Sequence, residues 1–212
     1  MTVRLVLATR NDHKVDEVQR ILAQADSLTH LNIELLPATQ FANAPEVVED
    51  GATFAANAAL KAVALARVTG LPAIADDSGL CVDALNGMPG IFSARWSGPQ
   101  GDSGRDVANL ELVLAQTADV PDSRRAASFH CAVALALPDG QVRLVEGRID
   151  GRLVRQPRGE HGFGYDPIFQ PDGLEQTTAE LDPASKDAIS HRGRALRALV
   201  PVLQEVFGDS SS

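Results

Sequence analysis

The chain has 212 residues, 44% of them apolar and 22% charged, with a formal net charge of −9. That is enough chain to bury a real core in one large domain or two packed lobes. The acidic balance excludes a general nucleic-acid or membrane binder, which needs a basic surface, but not a small anionic ligand held by a few local cations.

Residues 3–8 are nearly all apolar and read as a buried strand. A polar loop follows, Thr9-Arg10-Asn11-Asp12-His13-Lys14, and then Val15, Val18, Ile21 and Leu22 recur at helical spacing. Leu31, Ile33 and Leu35 alternate with polar residues and predict a second strand. Residues 37–51 form an acidic loop carrying Glu46, Glu49 and Asp50. Residues 53–69 predict a helix with Thr53 as N-cap, stopped by Gly70 and Pro72. Residues 71–80 read as a short apolar strand ending in Asp76-Asp77-Ser78-Gly79. Residues 86–104, with five glycines, predict a long loop. Val107, Leu110, Val113 and Leu114 mark a helix. Residues 129–137, the turn Pro138-Asp139-Gly140 and residues 142–144 predict a β-hairpin, and residues 152–154 a further short strand. A glycine-rich loop spans 158–167, and Ile189, Leu196, Leu199, Val200 and Leu203 mark the last helix. Residues 208–212 are expected to fray. The class is α/β with a mixed twisted sheet and flanking helices, a single two-lobed domain over residues 1–207.

Cys81 and Cys131 form no CxxC and have no His cluster nearby, which argues against zinc. They read as buried thiols of a reducing compartment. Met1-Thr2-Val3-Arg4 is not a secretory leader, and no apolar run approaches the roughly 20 residues of a membrane span. The expectation is a soluble, cytoplasmic protein.

Four places could carry chemistry. The loop 9–14 precedes a helix N-terminus, where free N–H groups and the helix dipole favour phosphate and Lys14 adds a point charge. It could equally be a turn capped by Asn11 or Asp12. Asp76 and Asp77 could hold a divalent cation with Glu49, since Mg²⁺ needs only one or two carboxylates plus substrate phosphates; the alternative is a solvated turn. Phe163 in its glycine-rich loop, Phe163-Gly164-Tyr165-Asp166-Pro167, could stack on a base or fold onto the core. Lys186 could meet His191 and Arg192 if Asp182-Pro183 starts a separate short helix and Ser190 caps the next. Otherwise these are an exposed basic helix start. GxSxG, HExxH and the Walker loop are absent.

Taken together, the ordered segments Thr9-x-Asn11-x-x-Lys14, Ala75-Asp76-Asp77-Ser78-Gly79, 89–95, Gly162-Phe163-Gly164-Tyr165-Asp166-Pro167 and Ser190-His191-Arg192-Gly193 resemble the inosine triphosphatase (HAM1-like) family of purine nucleoside triphosphate pyrophosphatases. The resemblance implies two lobes around a central substrate cleft, a homodimer, and Mg²⁺-dependent hydrolysis of dITP, ITP and XTP to the monophosphate and pyrophosphate. It implies Asp77 as general base and metal residue and Glu49 as a second metal residue. Thr9, Arg10, Asn11, Asp12, His13, Lys14 and Ser78 become substrate contacts. Phe163, Gly164, Tyr165, Asp166, Lys186, His191 and Arg192 surround the base. Many relatives carry an acidic residue where this chain has Ala56. That residue would complete a capping box with Thr53, so its loss is expected to cost stability rather than activity. A related pyrophosphatase for other modified nucleotides, or a nucleotide-binding regulator without turnover, are the competing readings.

Overall fold

The computed structural model describes residues 2–9, 12–25, 28, 31–98 and 104–208, with the backbone alone at 12, 13 and 16. Seven strands and five α-helices follow one another along it: β1 (Val3–Leu7), α1 (Asp12–Ala23), β2 (Ile33–Pro37), α2 (Phe54–Thr69), β3 (Ala73–Val82), β4 (Met88–Pro89), α3 (Arg105–Gln116), β5 (Ala126–Ala136), β6 (Val142–Leu153), β7 (Phe169–Pro171), α4 (Pro183–Ile189) and α5 (His191–Gly208). The strands pair in the order β2-β1-β3-β5-β6-β7, with β4 on β3. Pairing is parallel for β1 with β2 and β3, and antiparallel for β3 with β4 and for β6 with β7, so the sheet is mixed as predicted.

The chain divides into two compact units. The first comprises Met1–Asp77, Cys131–Gly147 and Arg192–Ser212, and the second Ser78–His130 and Arg148–His191. Strands β3, β5 and β6 pass from one to the other. In the first unit the period-2 alternation of β3 and β5 sends side chains to opposite faces. Ile74, Cys131, Val133 and Leu135 pack with Val18, Ile21 and Leu22 of α1 and Leu196, Leu199 and Leu203 of α5. Ala73, Ala75, Ala132, Ala134 and Ala136 pack with Ala58, Ala62 and Ala66 of α2. Small side chains on both sides of that contact let α2 lie close on the sheet. The core of the second unit gathers Leu80 and Val82, Leu110 and Val113, Phe129, Ile149 and Leu153, and Ile168 and Phe169.

Several local expectations are corrected. The Asp76-Asp77-Ser78-Gly79 run lies in the middle of β3, not at a strand end, because its buried polar groups find partners. Gly79 sits there because a Cβ would fall 2.5 Å from the Gly90 carbonyl oxygen and 2.4 Å from Ser93 Oγ. The expected long loop at 86–104 is folded over much of its length into β4 and a 3₁₀ segment, Gly90–Arg95, tied down by Ser93 Oγ, which accepts from Leu80 N and donates to Gly90 O. Residues 152–154 are not a separate strand; Leu153 ends a β6 of 12 residues. Cys81 is half-buried rather than buried, and both thiols are free. The predicted tail 209–212 lies outside the described residues. Among the described residues no helix is long and apolar enough to cross a membrane.

Helix α2 begins and ends as its sequence dictates. Thr53 is extended and its Oγ1 accepts from Ala56 N at 3.1 Å, while Gly70 closes the helix at φ 66°, a left-handed conformation suited to glycine. Thr53→Ala is therefore expected to lower stability by about 1 kcal/mol, read as a lower urea midpoint with an unchanged slope.

Candidate active site

Asp76 and Asp77 are neighbours in β3, so their side chains leave opposite faces of the strand. Asp76 lies on the α1 and α5 side. Its Oδ2 accepts from Lys14 Nζ at 2.8 Å and from Arg192 Nε at 3.2 Å, and Arg192 Nη1 donates to Glu17 Oε2. Asp76, Glu17 and Arg192 are buried, Arg192 to 2% exposure. Burying such charges is tolerable only when they are paired and hydrogen-bonded. Burial by itself would raise the Asp76 carboxyl, but Lys14, Arg192 and Lys61 outweigh it and hold the group far below its ordinary value. Burial would lower the Arg192 guanidinium, but Asp76 and Glu17 push it higher still.

Asp77 lies on the α2 side and is the opposite case. Its Oδ2 accepts from Asn57 Nδ2 at 3.0 Å, and its Oδ1 stands 3.9 Å from Lys61 Nζ. Lys61 Nζ also donates to Glu49 Oε1 at 3.0 Å. Here burial dominates: it raises the Asp77 carboxyl, Lys61 and Asn57 only partly offset it, and Glu49 adds to the rise. The two predicted metal carboxylates thus converge on a single ammonium. A pair of carboxylates within reach of one cation suits Mg²⁺, which takes few protein ligands and completes its shell with waters and phosphate oxygens. Among the described residues no group of three or more His, Cys, Asp and Glu could hold a metal ion.

The loop expected over residues 9–14 is shorter at its C-terminal end, because the first turn of α1 takes in Asp12, His13 and Lys14. Ala8 N donates to Ile74 O at 2.7 Å, so the loop start is tied to β3. Thr9 is half-buried, and α1 begins at Asp12. Of the expected phosphate contacts, Arg10 and Asn11 lie outside the described residues, and Asp12 and His13 are placed through their backbone in α1.

The second unit holds the other expected contacts except Arg192. Asp166 organises them: its Oδ2 accepts from Lys186 Nζ at 2.6 Å and Phe163 N at 2.8 Å, and its Oδ1 from Thr178 Oγ1 at 2.8 Å. Gly162 permits this turn, with φ 78° and Asp166 Oδ2 where a Cβ would be. Lys186 Nζ stands 5.2 Å from the Phe163 ring centroid, within cation–π range. Gly164 N donates to Asp106 at 2.9 Å. Tyr165 is buried, its hydroxyl donating to Ser93 O at 2.8 Å, and burial raises its pKa. Ser78 is half-buried on β3. The predicted helix break is present: Asp182 caps α4 by accepting from Ser185 N, and α5 starts after Ser190. Lys186 and His191 therefore do not share a helix. His191 stacks on Phe129, rings 10° apart at 4.7 Å. Arg192 falls in the first unit, with the ion pairs described above.

Four further residues of these networks were not singled out from the sequence: Glu17, Asn57, Lys61 and Thr178. Asn57 and Lys61 had a legible signal, polar residues four apart on an Ala-rich helix and hence on one face. Glu17 also stands at helical spacing from Lys14. Thr178 carried none.

Fold and site together define an α/β protein with a lysine-bridged carboxylate pair beside a buried ion network. The Ham1 family model matches residues 5–202, and the chain belongs to that family. A dITP/XTP pyrophosphatase of Streptomyces coelicolor is 59% identical over 205 residues, covering 97% of this chain and 99% of its own. The solved HAM1 protein of Coxiella burnetii superposes with a TM-score of 0.83 at 43% identity, covering 96% of this chain and 99% of that one. A dITP/XTP pyrophosphatase structure from Mycobacterium abscessus gives 0.74 at 50% identity, over 94% and 100%.

Two outcomes are expected from the Asp76 network. Glu17→Leu leaves the Arg192 charge buried with one partner removed, and should cost about 3–5 kcal/mol in urea denaturation. Asp76 is ionised well below its ordinary value of 3.8, so the stability it holds is fully present above that value. It is lost as pH falls through the value and below, because the unfolded chain takes up the proton first. Asp76→Asn should be less stable at neutral pH and lose less stability between about pH 5 and pH 2 than the wild type does. Parallel acid limbs would contradict this.

Proposed function

We infer that this chain is a nucleoside triphosphate pyrophosphatase that hydrolyses dITP, ITP and XTP to the monophosphate and pyrophosphate, clearing deaminated purines from the nucleotide pool. The observation that carries the reading is Asp77, a carboxylate of raised basicity facing a lysine and a second carboxylate. An acceptor of raised pKa is what a general base near neutrality needs.

In this reading water attacks the α-phosphorus, its proton passes to Asp77, and the bond from the α-phosphorus to the bridging oxygen breaks. The leaving group is pyrophosphate. Lys61 and Lys14 stabilise the negative charge that develops on the phosphates. Thr9 to Lys14 and Ser78 bind the phosphates and sugar. Glu49 and Asp77 would hold Mg²⁺, which when bound lowers the pKa of a coordinated water and neutralises phosphate charge. Phe163 stacks on the base, within the frame that Gly164, Tyr165 and Asp166 provide. Lys186, His191 or Arg192 donates to the 6-keto oxygen. Adenine presents an amino group there, so donor would meet donor, and sites of this kind reject the wrong partner by about 10⁴–10⁵. A homodimer in the cytoplasm completes the reading.

The deciding experiment measures pyrophosphate release from dITP, ITP, XTP, dATP and dGTP with and without Mg²⁺. Release confined to the deaminated purines and requiring Mg²⁺ is expected. No release from any of them would leave a nucleotide-binding regulator as the better account. Asp77→Asn should lower kcat for dITP by about 10²–10⁴. Ala56→Glu should complete the capping box begun by Thr53, raising stability on the order of 1 kcal/mol. Turnover should stay as it is; a large gain in kcat without a change in melting temperature would give position 56 a part in the chemistry.

A further inference from the structure

Asn57 is wholly buried, at 0% exposure, in the first turn of α2. Asparagine is a poor helix former, and a buried amide is costly unless its polar atoms are bonded. Both ends of this one are. Its Oδ1 accepts from Gly51 N at 2.8 Å, and its Nδ2 donates to Asp77 Oδ2 at 3.0 Å. The flipped amide would set donor against donor at Gly51 and acceptor against acceptor at Asp77, so the chemistry of the neighbours fixes the orientation. Gly51 is fitted to the contact: a Cβ there would fall 2.6 Å from Asn57 Oδ1 and 2.8 Å from Ala56 Cβ.

Gly51 stands two residues after Glu49. One side chain therefore ties the strand that carries Asp77 to the loop that carries Glu49. It also distinguishes the two oxygens of Asp77: Oδ2 is held by the amide, and Oδ1 is the one that faces Lys61.

We propose that Asn57 is a positioning residue of the pyrophosphatase site, presenting Asp77 Oδ1 and the Glu49 carboxylate to the same divalent cation. This rests on the function inferred above. Asn57 touches neither phosphate nor water in this scheme; it acts through the two groups it holds. The neighbouring Lys61, one turn further along α2, occupies the ground between those groups, so the helix supplies both the clamp and the counter-charge.

The test uses the full chain and two variants, Asn57→Leu and Gly51→Ala, with Ala66→Gly as a control for lost stability alone. Mn²⁺ binding to the protein without nucleotide is followed by electron paramagnetic resonance. Pyrophosphate release from dITP is followed across Mg²⁺ concentrations. Removing a group that orients a metal ligand usually costs about tenfold to a hundredfold in metal affinity or activity. Both variants should weaken Mn²⁺ binding and raise the half-saturating Mg²⁺ by that range. They should lower kcat while KM for dITP at saturating Mg²⁺ stays close to wild type. Ala66→Gly should lower the melting temperature and leave Mn²⁺ binding unchanged. A folded Asn57→Leu with wild-type Mn²⁺ binding and kcat overturns the proposal. If Asn57→Leu does not fold, the same result with Gly51→Ala overturns it. A wild-type protein that binds Mn²⁺ but releases no pyrophosphate refutes the pyrophosphatase reading instead, and the Mn²⁺ constants of the variants then decide the role of Asn57.

Discussion

The alternation of a single strand governs this site. Two adjacent carboxylates at the same height in β3 would repel one another if they shared a face. The pleat sends them apart, Asp76 towards α1 and α5 and Asp77 towards α2. Each then acquires its properties from the helix it meets. Asp76 meets a lysine and an arginine within hydrogen-bond range and is held ionised. Asp77 meets a neutral amide and a more distant lysine, and its burial is left under-compensated. The two environments push the pKa values of these neighbouring acids in opposite directions.

The packing of the two faces follows the same division. On the Asp76 side, large aliphatic residues of α1 and α5 enclose the ion network, and Cys131 beneath it is pushed up to about 12 by burial, reinforced by Asp76. That thiol is inert and serves as filler. On the Asp77 side, alanines line both α2 and the strands, and the absence of bulk brings Asn57 and Lys61 within reach of the carboxylate. A larger residue at Ala58 or Ala62 would act on chemistry through distance. In the second unit Asp166 does for the glycine-rich loop what Asp76 does for the first: one buried carboxylate takes a lysine, a backbone N–H and a hydroxyl and so fixes a loop that glycine alone would leave loose.

Much of this was legible in the sequence, and the pattern of success is physical. Local signals read well: the Thr53 cap, the Gly70 stop, the hairpin around Asp139-Gly140 and the break between α4 and α5 at Ser190 all depend on residues within a few positions of each other. The reading failed where a distant partner overrides local propensity. Asp76-Asp77-Ser78-Gly79 has the composition of a turn, yet Lys14 and Arg192, 62 and 116 residues away, make it affordable inside a strand. Residues 86–104 have the composition of a long loop, yet Ser93 anchors much of the segment against Leu80. Asn57, Lys61 and Glu17 enter these networks only through contacts with side chains elsewhere in the chain, and so escaped the sequence reading.

The ion pairs differ between the two faces of β3. Around Asp76 the named groups are Asp76, Glu17, Lys14 and Arg192, two acids and two bases. Around Asp77 they are Asp77, Glu49 and Lys61, two acids against one base. Lys14 and Lys61 thus lie on opposite sides of β3, one bonded to Asp76 and the other facing Asp77. Asp77 differs from Asp76 in its contacts: Lys61 stands 3.9 Å away, outside hydrogen-bond range, so burial is not outweighed and the carboxyl is raised.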